Sequence, residues 1–310
     1  MSARFPMPMP AGWYCVAYSD ELAPGEVKSV RYFGRELVLA RTESGKAMVT
    51  DPHCPHLGAH MAAGKIIGER IACPFHGWEF GVEGRCERIP YDERIPSKAR
   101  LQTWLHEERD GFLFVYFDPA NRSPRENRVP SELGDSKWRG IMRRKEWTIR
   151  THPQELFENG LDTAHFEFVH GIGQPLSSDI HEFDDGTWSA HHRYERGLFG
   201  LRMPADLTIR YCEPGVHLTT VEIGRLAVFI VAAVTPIDEE TQHQRVAYFG
   251  SANVPWPIRE AMVSLLAFET SRQFEQDIPI WESKVYLENP VLCSNDGDIA
   301  RIRRWFAQFY

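Results

Sequence analysis

The sequence predicts an α+β protein of two domains: an all-β domain at the N-terminus, then antiparallel strands with a long C-terminal helix. Three observations carry this. Short runs rich in β-branched and aromatic residues fill the first third of the chain. A polar, Pro-rich stretch interrupts it at Asp118–Pro130. A series of strands over 187–253 leads into a helical stretch at 257–277.

The N-terminal strands are expected at Trp13–Tyr18, Val27–Tyr32, Glu36–Arg41 and Ala47–Thr50, then at Ile71–Ala72, Glu79–Val82 and Gly111–Phe117. The pairs Pro24-Gly25, Phe33-Gly34 and Ser44-Gly45 punctuate them. Placing the boundary in the Pro-rich stretch gives domains 1–125 and 126–310. In the second domain, Leu156, Phe157, Gly160, Leu161 and Ala164 share one face of a helix expected over Glu155–His165, with Pro153 near its start. Strands follow at Thr187–Tyr194, Leu207–Cys212, Val216–Ile223, Ala227–Thr235 and Gln244–Ala252.

At 310 residues the chain is long for one domain and comfortable for two. Its formal charge of −8 gives no general reason to bind nucleic acid or an anionic membrane. The longest apolar run, Leu226–Val234, is about half of the roughly 20 residues a membrane helix needs. The N-terminus has no basic region followed by an apolar one, so a cytoplasmic protein without a membrane anchor is expected. In that compartment the six cysteines point to metal binding or plain burial rather than disulfides.

Two short motifs carry the first chemistry. Cys54-Pro55-His56 and Cys73-Pro74-Phe75-His76 each supply one thiolate and one imidazole. A zinc finger places its cysteine pair before its histidine pair, and the order here differs. One of each per loop suits a two-iron cluster in which one iron takes both sulfurs and the other both nitrogens, the arrangement of a Rieske [2Fe–2S] centre. Zinc, or two buried cysteines beside incidental histidines, are the competing readings. Gly58 and Gly77 in the flanks favour the cluster, because glycine lets backbone N–H groups approach it. His53 and His60 are read as neighbours of the cluster or as surface residues.

The second constellation lies in the segment ENGLDTAHFEFVH, Glu158–His170. His165 and His170 can converge on one metal if the helix ends between them. A cluster needs an electron acceptor, and two histidines with one carboxylate form the oxygen-activating non-heme Fe(II) site. Asp277 is the best third ligand, with Glu275 and Glu282 as competitors. Asp162 stands three residues before His165. Phe166, Phe168, Val228, Phe229, Ile230 and Trp281 are candidates for an apolar pocket, against ordinary core packing for each. Cys15, Cys86, Cys212 and Cys293 receive no function.

Together these residues resemble the catalytic α subunit of the Rieske non-heme iron oxygenases. The segments Arg150–Phe166 and Gln276–Tyr310 look most like the steroid-acting branch of 3-ketosteroid 9α-hydroxylases and cholesterol 7-desaturases. The resemblance implies an N-terminal Rieske domain, a C-terminal helix-grip domain with a hydrophobic cavity, and a homotrimer. In the trimer, His76 of one chain faces Asp162 of the next, which bridges to His165. Ala59 and Phe75 stand where respiratory Rieske proteins have a disulfide, so a low potential is implied. Glu158 stands where some relatives have asparagine, with Asn159 beside it.

The implied cycle starts with a separate ferredoxin or flavin reductase, fed by NAD(P)H, reducing the cluster. The chain itself has no nicotinamide or flavin fingerprint. Fe(II) held by His165, His170 and Asp277 then uses O2 to hydroxylate or desaturate a hydrophobic polycyclic, steroid-like substrate. The competing expectations are an aromatic or natural-product substrate, with hydroxylation or dealkylation, and a Rieske electron carrier without oxygenase activity.

Overall fold

The computed structural model describes residues 4–124, 129, 135–184, 186–198, 201–293, 296 and 298–310. The chain forms two compact units, one of residues 15–116 and one of residues 1–14 and 117–310. The expected boundary at 125/126 lies outside the described residues.

The first unit is built from ten short strands: Gly12–Tyr18 (β1), Val27–Tyr32 (β2), Arg35–Arg41 (β3), Ala47–Thr50 (β4), Lys65–Ile67 (β5), Arg70–Ala72 (β6), Glu79–Gly81 (β7), Cys86–Arg88 (β8), His106–Arg109 (β9) and Phe112–Phe117 (β10). They form three sheets, ordered β1-β10-β9, β2-β3-β4 and β5-β6-β7-β8. β2 and β4 have the limits expected from the sequence. The three-residue strands β5 and β8 and the charged β9 gave no pattern to read. Val38, Met48, Met61, Ile71, Phe80 and Leu101 make the core under the two cysteine loops. Glu79 is buried between Arg70, at 2.7 Å, and Arg88, so its charge is paired where water is excluded.

The second unit is a seven-stranded antiparallel sheet with helices against it. The strands are Arg143–Ile149 (β11), Ser177–Glu182 (β12), Trp188–Leu198 (β13), Leu201–Glu213 (β14), Val216–Ile223 (β15), Leu226–Pro236 (β16) and Gln242–Gly250 (β17). Their order is β11-β17-β16-β15-β14-β13-β12, a meander from β12 to β17 closed by β11 at the far edge. β11 reads RRKEWTI and is mostly exposed, so it lacks the apolar alternation that marks a half-buried strand.

The helices are Pro153–Asn159 (α1), Thr163–Phe168 (α2), Trp256–Ser283 (α3) and Ile299–Phe306 (α4). α3 packs on β11, β16 and β17, burying Val263 and Ala267 against Val228, Ile230, Val246 and Tyr248. It runs past the expected end at 277 and through Pro279. Proline removes one backbone bond there, but Trp281 in the following turn is buried among Phe274 and Ile302 and holds the turn in place. The single helix expected over Glu155–His165 is two helices. The chain breaks at Gly160, where a Cβ would lie 2.1 Å from the Tyr211 hydroxyl, and restarts with Asp162 as N-cap of α2. Among the described residues no helix is long and apolar enough to cross a membrane.

Candidate metal centres

The two cysteine loops of the first unit have the same backbone scaffold. Cys54 N–H donates to the Ala59 carbonyl at 2.9 Å, and Gly58 N–H donates to the Cys54 carbonyl at 2.9 Å. Cys73 N–H donates to the Trp78 carbonyl at 2.8 Å, and Gly77 N–H to the Cys73 carbonyl at 3.0 Å. Gly58 and Gly77 both have positive φ, 77° and 70°, where a side chain is strained. Each cysteine is thus followed four residues later by the glycine that closes its loop. The histidine comes second in one loop and third in the other.

This scaffold buries Cys54 and Cys73 together and leaves His56 and His76 half-buried. The imidazole centroids are 4.8 Å apart. His56 stacks on Trp78 at 4.4 Å, and Trp78 Nε1 donates to the Tyr91 hydroxyl at 2.8 Å. Burial, with the Cys73 thiol beside it, pushes the Cys54 thiol up to about 11. His76 Nδ1 is buried without a hydrogen-bond partner. Two soft sulfurs and an orphaned imidazole nitrogen are donors that fit a [2Fe–2S] cluster, whose binding displaces the thiol protons. His60 instead caps a short turn through Ala62 and meets Glu36 at 3.3 Å, while His53 Nδ1 bonds the Gly58 carbonyl at 3.2 Å.

In the second unit His165, His170 and Asp277 offer ligand atoms within 4.8 Å of one another. The break after α1 makes this possible. His165 sits in α2, which ends at Phe168, and His170 lies two residues beyond. Asp277 comes from α3 and is 4% exposed. The second nitrogen of each ring is occupied. His165 Nδ1 donates to the main-chain carbonyl of Asp162, and His170 Nδ1 donates to Gln276 Oε1 at 3.1 Å. Both rings therefore present Nε2 to the site, the tautomer in which a neutral imidazole ligates metal. His170 Nε2 is 3.3 Å from Asp277 Oδ2. Burial lowers the His165 pKa, opposed by the Asp277 charge. Burial also pulls on His170, but its hydrogen bond to Asp277 and that residue's charge outweigh it and raise the pKa. One oxygen and two nitrogen donors, buried and pre-oriented, fit a divalent iron.

Asp162 holds two positions at once. Its carboxylate caps α2, 3.4 Å from the His165 amide N–H and 4.0 Å from Nδ1, while its carbonyl takes the ring proton. The side chain is 40% exposed. Of the competing carboxylates, Glu275 is exposed and Glu282 accepts from the Arg150 amide at 3.2 Å. Asn159 is a neighbour that spacing alone did not single out. Its amide is 3.1 Å from both His165 Nε2 and Asp277 Oδ2. Glu158 points elsewhere, to Arg303 at 2.8 Å and Gln154 at 2.8 Å.

A cavity of about 200 Å³ opens beside the triad. Phe166, Ile230 and Trp281 line it, with Trp147, Phe274 and the polar Gln244 and His217 among others. The other three pocket candidates do not. Phe168 is 85% exposed at the end of α2. Val228 shares its strand face with Ile230 but packs under α3. Phe229 falls on the opposite face, stacked on Trp138 at 5.2 Å. Trp147 was illegible as a cavity residue because β11 was not expected, and Gln244 because it reads as an ordinary polar residue of an expected strand.

Comparison with known proteins places both units. The Rieske [2Fe-2S] domain family matches residues 12–102, and the 3-Ketosteroid 9alpha-hydroxylase C-terminal domain family matches residues 115–310. Cholesterol 7-desaturase of Caenorhabditis elegans is 34% identical over 340 residues, covering 98% of this chain and 78% of that protein. The 3-ketosteroid-9-alpha-monooxygenase oxygenase component of Rhodococcus rhodochrous is 31% identical over 330 residues, covering 96% and 83%. Dicamba monooxygenase bound to dicamba shares the fold, with a TM-score of 0.77 at 20% identity and 96% of each chain covered. The chain belongs to the Rieske oxygenases, with a catalytic domain of the 3-ketosteroid 9α-hydroxylase family, and is an oxidoreductase with a Rieske [2Fe–2S] cluster and a mononuclear iron.

Proposed function

We propose that the protein is the oxygenase component of a system that hydroxylates or desaturates an apolar, polycyclic, steroid-like molecule. Cys54, His56, Cys73 and His76 hold the cluster, and His165, His170 and Asp277 hold the iron. The two functions divide between domains 1–125 and 126–310. The observation that carries this reading is the convergence of two Nε2 atoms and one buried carboxylate beside a mostly apolar cavity. The names of the relatives, a cholesterol desaturase and a ketosteroid monooxygenase, support the substrate class.

A ferrous ion bound at the triad supplies dioxygen activation, with electrons drawn from the cluster. For hydroxylation, one O2, two electrons and two protons convert C–H to C–OH and release one water. The chain contributes the rest. The Asp162 carbonyl and Gln276 fix the two imidazoles, so both ligands are oriented before metal arrives. Phe166, Trp147, Phe274 and Trp281 line the space where substrate lies and exclude water from it. Asp162 and His76 act across a subunit interface of a homotrimer. Asp162 of one chain accepts from His76 of the next, and His165 takes up the far end of the relay. Half-exposed Asp162 and the open edge at His76, beside exposed Phe75 and Tyr91, are available for such a contact.

The test is O2 consumption and product formation from ketosteroids and sterols with NAD(P)H, a ferredoxin and a flavin reductase, run on wild type and Asp162→Asn. The variant is expected to keep both metals and lose at least tenfold in turnover. Light scattering checks the trimer. Failure to oxidise any ketosteroid or sterol while NADH-driven cluster reduction proceeds would move the substrate to the aromatic or natural-product class.

A further inference from the structure

The cavity beside the triad has two walls of different origin. α2, the turn after it and α3 bring His165, His170 and Asp277, and the sheet brings an apolar surface that includes Ile209, Ile230 and Val246. Gln244 of β17 and His217 of β15 interrupt that surface. Gln244 pairs with Val234 of β16 and Trp147 of β11, and His217 pairs with Ala232 of β16. Val234 and Ala232 are two apart, so Gln244 and His217 share one face of the sheet in adjacent rows. Strand geometry sets their Cα atoms roughly 12 Å apart across β16.

Neither residue has what a buried polar group needs. Gln244 is fully buried, and both its amide oxygen and its amide nitrogen lack a hydrogen-bond partner. His217 Nδ1 is likewise buried and unpartnered. The wall's other polar pair is satisfied internally: the Tyr248 hydroxyl meets Thr270 Oγ1 at 2.7 Å, and Thr270 donates to the Leu266 carbonyl at 2.7 Å. An unpaired buried amide is costly, and an apolar side chain of the same size would not carry that cost. Gln244 lines the cavity, so a molecule held there can reach it.

The chemistry of that partner follows from charge. No lysine or arginine is among the described residues that line the cavity, so a substrate anion finds a counter-charge only at the metal held by the triad and none at Gln244 and His217. Burial pushes the His217 imidazole down to about 4, so it is neutral near pH 7. A neutral imidazole and an amide each offer a donor and an acceptor. We propose that Gln244 and His217 are two specificity-determining polar positions on the sheet wall of the cavity, each placed to bind a ketone or hydroxyl oxygen on an otherwise apolar alicyclic substrate and neither offering a counter-charge to a carboxylate. This rests on reading the cavity as the substrate site.

Calorimetric titration of metal-loaded protein with three matched probes tests it: trans-decalin, the corresponding ketone (decalone) and the corresponding carboxylate. Wild type, Gln244→Leu and His217→Phe are compared after iron and sulfide analysis shows each to be intact. In wild type, decalone is expected to bind more tightly than decalin, and whatever affinity the carboxylate has through the metal is expected to be the same in both variants. In Gln244→Leu, decalone should lose about tenfold in affinity while decalin changes by less than about twofold. The same variant should have a raised Tm without ligand, a change that a structural role for the amide would not produce. An unchanged decalone-to-decalin ratio in both variants, a lowered Tm of Gln244→Leu, or a carboxylate affinity that falls in the variants would overturn the assignment of Gln244 and His217 alone. Binding of none of the three to wild type would instead overturn the apolar-substrate reading beneath it.

Discussion

Asn159 donates its side-chain amide to the carboxylate of Asp277, with 3.1 Å between nitrogen and Oδ2. The same nitrogen lies 3.1 Å from His165 Nε2. An amide that touches two of the three ligand atoms would border any metal that they hold. Asn159→Asp puts a fourth donor, a second oxygen, there. We expect tighter Fe(II) retention against a chelator and at least a tenfold fall in turnover, because an open position is filled. Unchanged turnover would remove Asn159 from the site.

Gln276 fixes the ring of His170 from an exposed position on α3. Gln276→Ala should weaken Fe(II) binding about 10–100-fold, the usual effect of losing such a partner. The Tm of metal-free protein should stay within about 2 °C, because exposed substitutions cost little. Metal titration and calorimetry separate the two.

Glu158 and Arg303 tie α1 to α4 through contacts of 2.8 and 3.1 Å, with Gln154 on the same carboxylate. Glu158 is 5% exposed. Arg303→Met leaves that carboxylate buried and unpaired, and a loss of about 3 kcal/mol in urea unfolding is expected. Combining it with Glu158→Gln should recover most of the loss. A double variant whose loss equals the sum of the two single losses would mean that the pair is not coupled.

His152 caps α1 as an acceptor. Its Nδ1 takes the Gln154 N–H and its Nε2 donates to the Pro8 carbonyl, both at 3.2 Å. Burial pushes its pKa down to about 4, well below the value near 6.5 of an exposed histidine. The unfolded chain binds the proton more readily between those values. The contribution to stability is therefore full above pH 6.5 and lost as pH falls toward 4, by about 3 kcal/mol at most. His152→Asn keeps a capping oxygen without the titration. The Tm difference between wild type and variant should shrink or reverse as pH drops from 7 to 4.5, and a pH-independent difference would exclude His152 as the titrating group.

How legible all this was depended on what local pattern can encode. β2, β4 and β15 match their expected limits because alternation, turn glycines and β-branched residues coincide there. The cysteine–histidine pairs and the segment from Asp162 to His170 were legible because their chemistry is local in sequence. Gln276, Gln244 and His217 were not. Each is an ordinary polar residue on a helix or strand, and only the tertiary fold brings Gln276 to His170 and sets Gln244 and His217 in the cavity wall. The break between α1 and α2 was missed for the same reason. Gly160 reads as one tolerated glycine in a helical pattern until Tyr211 is brought against it.

The central claim is that two metal centres occupy one chain. Iron and acid-labile sulfide on anaerobically prepared protein, with EPR of the dithionite-reduced form, test it most directly in wild type and Asp277→Ala after reconstitution with Fe(II). About three irons and two sulfides per chain, a Rieske signal in both proteins, and loss of one iron in the variant are expected. Two irons per chain in both proteins after reconstitution would contradict the mononuclear site and leave a Rieske electron carrier.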